Sequence, residues 1–190
     1  MKTMSADAAL NALRQGNERF REERAMGAGR DASRRRELAG GQSPFAIILT
    51  CSDSRVIPEL AFDTGLGELF LARVAGNVAN TSSIASIEYA VANLGSKLIV
   101  VMAHESCGAV AAAIAGGDSG KNLNHLLDHI QPALAESVEP EVNAVAQCNA
   151  RMNALRLTSE STILRSAVET DDVKIVTAFY HLESGVVEFN

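Results

Sequence analysis

The chain has 190 residues, 47% hydrophobic and 4% aromatic with no tryptophan, so we expect a single domain whose core is mainly Ala, Val, Ile and Leu. The net charge of −6 argues against nucleic acid and against an anionic membrane as partners. The amino terminus has no long apolar segment and the cysteines number three, which predicts a cytoplasmic protein with reduced thiols, without signal peptide or membrane span.

The first 40 residues are predicted to form a helical arm. Ser5–Ala25 has the pattern of a helix capped by Ser5 or Asp7. Its apolar side is narrow and consists of Leu10, Leu13, Asn17 and Phe20. Because packing on its own domain alone would not hold so charged a helix, we expect it to lie across a partner subunit. Arg34–Glu37 is interpreted as a solvated helix face, since an acidic chain is a poor nucleic-acid binder.

A predicted buried strand then leads into reactive side chains. The apolar run Phe45–Leu49 has the length and composition of such a strand, and small polar residues end it. Cys51, Asp53 and Arg55 follow at alternate positions, so they would point the same way if the turn stayed extended. In open α/β sheets, ligands bind outside the carboxyl ends of the strands. The sequence therefore predicts a site at this edge.

The rest of the chain alternates strands with helices. Strands are predicted at Leu69–Ala75, Leu98–Ala103 and Val173–Leu182, the last turning into Val186–Phe189 as a hairpin. One helix is predicted to start at Pro58, a second to run from Ser82 or Ser83 to Leu94, and a third to begin after the strand at Leu98–Ala103 and reach Gly116. Three more are predicted at Leu123–Ala135, Val142–Leu157 and Thr158–Val168. This order indicates an α/β fold with a mostly parallel central sheet flanked by helices. We predict one domain over residues 1–190, with the arm at 1–40 and the α/β core at 41–190.

A second polar cluster follows the strand at Leu98–Ala103. His104 and Cys107 are three residues apart at a strand-to-helix junction, so both can face one point. Together with Cys51 they make a Cys2His set, and three protein ligands with an open fourth position are typical of catalytic zinc. Thiolates and imidazole favour zinc over magnesium, calcium or manganese.

Each part of this pattern also has a simpler explanation. A lone cysteine at a strand end is usually a small buried hydrophobe, and H-x-x-C alone is a weak signal. Cys148 has no comparable neighbours and is interpreted as structural. His125 and His129, in HLLDH, resemble a zinc-protease motif, but Leu126 replaces its glutamate, so we interpret them as a helix face.

The motifs CSDSRV and AHESCGAV, and the spacing between them, resemble the β-class carbonic anhydrases. The resemblance covers nearly the whole chain, through ALNALRQGNERF, GGQSPFAIILTCSDSRV, FDTGLGELFLARVAGNVAN, SIEYAVANLG and AFYHLESGVVEF. It implies zinc-dependent, reversible hydration of carbon dioxide to bicarbonate and a proton. It also implies an obligate dimer with the N-terminal helices wrapped across the partner, or a tetramer built from two dimers.

The resemblance assigns residues too. It implies Zn²⁺ ligands at Cys51, His104 and Cys107, with Asp53 and Arg55 as an active-site dyad and Gln42 lining the substrate pocket, as in the plant-like members. Asp53 is expected to orient the activated water while Arg55 holds it, or to bind the zinc itself as a fourth ligand. Two features depart from the family. Ala103 stands where many members have Gly, and without Trp the chain lacks the bicarbonate-binding regulatory site of one subgroup.

Two other functions remain open at this point. The same apparatus could hydrolyse carbonyl sulfide or carbon disulfide, since the family fold also hosts such enzymes. A zinc-binding structural or sensor protein without catalysis is the second. Structural sites usually have four closely paired ligands, whereas here Cys51 and His104 are 53 residues apart in the chain. A permanent Asp53–zinc bond would favour this second alternative.

Overall fold

Five strands form one sheet in the computed structural model, which describes residues 4–137 and 140–190. They are β1 (Ala46–Thr50), β2 (Leu69–Arg73), β3 (Leu98–His104), β4 (Lys174–Tyr180) and β5 (Val187–Phe189). Their order across the sheet is β2-β1-β3-β4-β5; the first four are parallel and β5 is antiparallel to β4. The predicted α/β fold, with a mostly parallel sheet and a C-terminal hairpin, is confirmed.

Helices cover both faces of this sheet. They are α1 (Ala6–Arg21), α2 (Ala32–Leu38), α3 (Pro58–Ala61), α4 (Thr81–Leu94), α5 (Gly108–Ala115), α6 (Lys121–Asp128), α7 (Gln131–Glu136), α8 (Val142–Glu160) and α9 (Thr162–Thr170). Every residue of β1 and β3 is buried, as expected for central parallel strands. Within the described ranges, none of the helices combines the length and hydropathy needed to cross a bilayer.

The two faces of the sheet have separate apolar cores, because side chains of a strand alternate between faces. Ile47 and Leu49 contribute to the core shared with α4, α5, α8 and α9. Ile48, by contrast, packs in a second core, which lies between the sheet and the helices α1 and α3. The site predicted at the carboxyl edge therefore rests on strands that are fixed from both sides.

The N-terminal helix packs on its own chain, contrary to the expectation that so charged a helix could not, while its contact with a partner subunit stays a prediction. Ser5 caps α1 by accepting a hydrogen bond from Ala8, and Ala9 and Leu13 are fully buried in the second core. The side chain of Asn17 donates to the carbonyl of Gly185 at 2.8 Å and accepts from the amide of Val187 at 2.9 Å. Small side chains and these buried hydrogen bonds replace the broad apolar stripe that the sequence lacks.

The run of arginines lies on α2, which has no buried residue among its described positions, so the prediction of a solvated helix face is confirmed. Other helix limits differ from prediction. The stretch predicted as one helix over Leu123–Ala135 is two helices, because Pro132 has no N–H and suits the first turn of α7.

Two helix caps also differ from prediction. α8 continues to Glu160, and Ser161 caps α9 by accepting from the amide of Leu164. The cap of α4 is Asn80, with Ser83 completing a capping box, rather than Ser82 or Ser83 alone.

A tight contact between α1 and α3 provides a test of the packing of α1. A Cβ added at Gly16 would lie 1.8 Å from the carbonyl oxygen of Phe62, whereas one added at Gly40 would meet nothing within 4 Å. We expect Gly16→Ala to lower the free energy of unfolding by about 1–3 kcal/mol or more through overpacking. Gly40→Ala, the matched control, should change it by less than about 0.5 kcal/mol in urea denaturation. Equal midpoints for the two variants would contradict this docking of α1.

Candidate metal centre

The predicted thiol and imidazole ligands come together at the carboxyl edge of the sheet. β1 and β3 are neighbours with Thr50 paired to Met102, so Cys51 and His104 leave the sheet side by side. Their ligand atoms and that of Cys107 all lie within 4.8 Å of one another, and all three residues are buried. These three residues are called the ligand group below. Within residues 4–137 and 140–190, no other group of three or more such side chains is this close.

The distance between the two sulfur atoms of this group is close to what a shared zinc ion requires. The two sulfur atoms are 4.0 Å apart, and two thiolates on a tetrahedral zinc are expected at about 3.8 Å. His104 Nδ1 lies 2.9 Å from the carbonyl oxygen of Glu105. Because a carbonyl only accepts, Nδ1 carries the hydrogen, and in the neutral ring the lone pair is then on Nε2.

His104 Nε2 is buried and has no hydrogen-bond partner among the described residues. An unpaired buried polar atom costs free energy unless something binds it. The donor set, its spacing and this free lone pair therefore fit a soft divalent cation such as zinc.

The two thiols shift each other's pKa in opposite directions, because a hydrogen bond joins their sulfur atoms. The pKa of Cys51 is lowered, mainly because the Cys107 thiol donates to its thiolate. The pKa of Cys107 is raised, because it holds that proton against the neighbouring thiolate and because it is buried. The backbone amide of Gly76 also donates to Cys51 Sγ at 3.3 Å. A cation between the sulfurs would stabilise both thiolates and remove this conflict.

Asp53 and Arg55 form a bidentate pair beside the ligand group. Arg55 donates from Nε to Asp53 Oδ1 at 3.0 Å and from Nη2 to Oδ2 at 2.8 Å. The amide of Arg55 also donates to Oδ1 at 2.9 Å. The chain turns at Ser54–Arg55, so Asp53 and Arg55 do not lie on an extended segment as the alternate spacing suggested. Arg55, mainly through its side-chain hydrogen bonds, lowers the pKa of Asp53 to about 2.

Asp53 lies at the rim of the ligand group. Its Oδ2 is 3.9 Å from His104 Nε2, too long for a hydrogen bond. Both carboxylate oxygens accept from Arg55 in this arrangement. Asp53 as a fourth metal ligand therefore stays a prediction, for which the carboxylate would have to leave Arg55.

Gln42, the other predicted site residue, lies outside this group, as do Cys148 and His129, which were predicted not to bind metal. Gln42 is exposed and precedes the amino end of β1, whereas the thiols follow its carboxyl end. Cys148 is buried on α8, with its sulfur 3.9 Å from a carboxylate oxygen of Glu136. His129 Nδ1 lies 2.8 Å from the guanidinium of Arg156, so its lone pair already faces a cation.

Sequence reasoning missed several side chains that hold the backbone of the site. Arg73, at the end of β2, donates to carbonyl oxygens of the segment after β1. Asn149 on α8 donates to the carbonyl of Gly76 at 2.7 Å, and Asn143 accepts from the amide of Ser106 at 2.9 Å. Arg73 could have been found as a polar residue at the end of a strand. The asparagines gave no such signal, because α8 is distant in the chain.

Comparisons with known proteins agree with this geometry. A family model described as carbonic anhydrase matches residues 46–187. Carbonic anhydrase 2 of Mycobacterium tuberculosis is 36% identical over 185 residues, covering 94% of this chain and 89% of that protein. The carbonic anhydrase of Mycolicibacterium smegmatis is 34% identical over 188 residues, covering 95% and 91%.

Solved structures show the same fold. A β-carbonic anhydrase of Aspergillus fumigatus superposes with a TM-score of 0.76 at 26% identity, over 97% of this chain and 89% of the other. One of two tetrameric β-carbonic anhydrases from Sordaria macrospora also gives 0.76, at 24% identity and over 92% and 93%.

The ligand group predicts which cysteines bind metal. Cys107→Ser should lose most of the bound zinc, because a hydroxyl replaces a thiolate in a three-ligand site. Cys148→Ser, the matched control, should keep one zinc per chain, since Cys148 lies outside the ligand group. Metal analysis of the purified, dialysed proteins measures both. Full zinc content in the Cys107 variant, or loss in the Cys148 variant, would contradict the assignment.

Proposed function

The chain belongs to the β-class carbonic anhydrase family, and we propose that it catalyses the zinc-dependent, reversible hydration of carbon dioxide to bicarbonate and a proton. The observation that carries this proposal is the pairing of two features at one sheet edge. The ligand atoms of Cys51, His104 and Cys107 lie within 4.8 Å of one another, and the Asp53–Arg55 pair stands beside them.

Cys51, His104 and Cys107 would hold the zinc ion. Zinc in such a site acts as a Lewis acid that makes water available as a nucleophile near neutral pH. The hydrogen bond from His104 Nδ1 to the Glu105 carbonyl fixes the ring so that Nε2 faces the two sulfurs. The amide of Gly76 stabilises the thiolate form of Cys51.

Asp53 would orient the attacking water. A carboxylate only accepts hydrogen bonds, so Asp53 would take a hydrogen of the water and leave an oxygen lone pair directed at carbon dioxide. Arg55 holds the carboxylate through two parallel hydrogen bonds and donates weakly, at 3.4 Å, to the carbonyl of Ser106. The guanidinium therefore ties the dyad to the segment that carries Cys107, and keeps Asp53 in the orienting position.

Gln42 would reach the substrate pocket from a second copy of the chain. β1 separates Gln42 from Cys51, and its five residues alone span ~17 Å at roughly 3.3 Å per residue. A residue at one end of a strand cannot line a pocket at the other end. We therefore propose a homodimer, or a tetramer built from two dimers, in which each site takes its glutamine from the partner.

Stopped-flow measurement of carbon dioxide hydration tests the role of the dyad. Arg55→Ala should keep zinc but lose most activity, because Asp53 is then free to bind the metal and block its fourth position. Asp53→Asn should also keep zinc and lose ~10²-fold in kcat, as for removal of one positioned catalytic hydrogen-bond group. Wild-type turnover in Arg55→Ala across the pH range would show that the pair is only structural.

The same preparations discriminate between the alternative functions. Sulfide release from carbonyl sulfide or carbon disulfide, faster than hydration of carbon dioxide, would favour the hydrolase. Zinc-loaded protein without either activity would favour a structural or sensor role.

A complementation experiment tests the origin of the glutamine. Gln42→Ala is expected to lose about 10-fold or more in kcat/KM, and Cys107→Ser to be inactive without its metal. A heterodimer of the two variants is isolated through two affinity tags. Its Gln42→Ala chain keeps all three ligands, and its Cys107→Ser chain supplies Gln42 to that site. We expect this heterodimer to recover about half of the wild-type activity. Activity no higher than half that of the Gln42→Ala homodimer would mean that the glutamine acts within its own chain.

A further inference from the structure

We propose that Arg73 is a positioning residue, which holds the backbone of residues 51–56 so that the metal ligand Cys51 and the dyad residue Asp53 keep a fixed relation. The proposal rests on the proposed hydration function. It concerns a residue that touches neither the ligand atoms nor the carboxylate of Asp53. Its action would pass through the main chain of the segment that carries both.

The segment from 51 to 56 has little regular structure of its own. β1 ends at Thr50 and α3 begins at Pro58, with a turn at Ser54–Arg55 between them. One backbone hydrogen bond closes that turn, from the amide of Val56 to the carbonyl of Asp53 at 3.1 Å. A short irregular segment keeps one conformation only when other groups compensate its conformational entropy.

Arg73 supplies three such contacts from one side chain. Its Nε donates to the carbonyl oxygen of Cys51 at 3.1 Å. Its Nη2 donates to the carbonyl oxygens of Asp53 at 2.8 Å and Val56 at 3.0 Å. These acceptors include the first and last residues of the segment, so a single planar guanidinium fixes it along its whole length.

The sheet explains why residue 73 can do this. β2 pairs in parallel with β1, and Arg73 is the register partner of Thr50. The amide of Val74 donates to the carbonyl of Thr50 at 3.1 Å, which holds the end of β2 against the point where β1 ends. The arginine side chain therefore begins beside the segment that it binds, on a strand that is fixed.

Charge pairing does not account for the position of Arg73. In the part of the chain that the structure describes, no carboxylate lies within 4.0 Å of its guanidinium nitrogens. Its partners are carbonyl oxygens, placed so that the Nε and Nη2 groups of one guanidinium can donate to all three. Lysine has the same charge but a single ammonium group, and it cannot reproduce this arrangement. Arg73→Lys therefore separates geometry from charge.

Arg73 and Arg55 would act on the same aspartate in different ways. Arg55 binds its carboxylate, whereas Arg73 binds its main-chain carbonyl and that of Cys51. Side chain and backbone of Asp53 are thus each held by a guanidinium. Loss of Arg73 should leave the Asp53–Arg55 pair intact but let the dyad move relative to the metal ligands.

The experiment compares Arg73→Lys with Arg151→Ala, which removes an exposed arginine from α8. Three quantities are measured on each full-length protein. They are kcat/KM for carbon dioxide hydration with zinc, the absorption spectrum with Co²⁺ in place of zinc, and hydrogen exchange of peptides covering residues 51–56 and β3. The spectrum and the exchange do not depend on activity, so they still report on Arg73 if the proposed reaction proves wrong.

For Arg73→Lys we expect a loss of about 10- to 100-fold in kcat/KM, since small displacements of positioned groups are costly. The cobalt bands should shift and exchange should rise in residues 51–56, with β3 still protected. Arg151→Ala should match the wild type in all three measurements. A wild-type spectrum and wild-type exchange in Arg73→Lys would overturn the proposal. Equal loss of protection in β3 would also overturn it, because Arg73 would then serve general stability.

Discussion

The parallel pairing of β1 with β3 is the constraint on which the rest of this molecule depends. The candidate ligands Cys51 and His104, 53 residues apart in the chain, become neighbours because Thr50 is in register with Met102. A shift of one residue along either strand would turn alternate side chains to the opposite face and separate Cys51 from His104. Both strands are buried on both faces, in two apolar cores, and this burial fixes the register. The geometry of the candidate metal centre is therefore a consequence of core packing.

The candidate site brings together groups that favour a bound cation. The hydrogen bond between the two thiols shifts their pKa values in opposite directions, and an imidazole nitrogen is buried without a partner among the described residues. Hydrogen bonds from side chains, rather than regular secondary structure, hold the backbone around the site. Arg73 binds the segment after β1, Asn149 binds the turn that contains Gly76, and Asn143 binds the segment after β3. Groups from β2 and α8 thus hold the segments that follow β1 and β3, where the candidate ligands lie.

The N-terminal helix belongs to the same packing scheme. α1 closes the second core with small residues, and the buried Asn17 joins it to α3 and to the C-terminal hairpin. Gly16 allows its backbone to approach Phe62. A helix whose sequence is strongly charged can therefore pack against the sheet of its own chain. The separation of Gln42 from the thiols by the length of β1, rather than the packing of α1, supports the proposed dimer.

The sequence by itself determined the elements that carry strong local signals. Apolar runs predicted the buried strands, and small polar residues at their ends marked Cys51, His104 and Cys107 as candidate ligands, because strand period and chain order are local properties. Caps and helix breaks around Asn80, Pro132 and Ser161 were predicted less well, since several neighbouring residues can cap a helix. Only the tertiary structure decided that α1 packs on its own sheet, and that Arg73 and Asn149 hold the site. Those contacts join residues far apart in the chain, and their geometry depends on the register and twist of a sheet that no local pattern specifies.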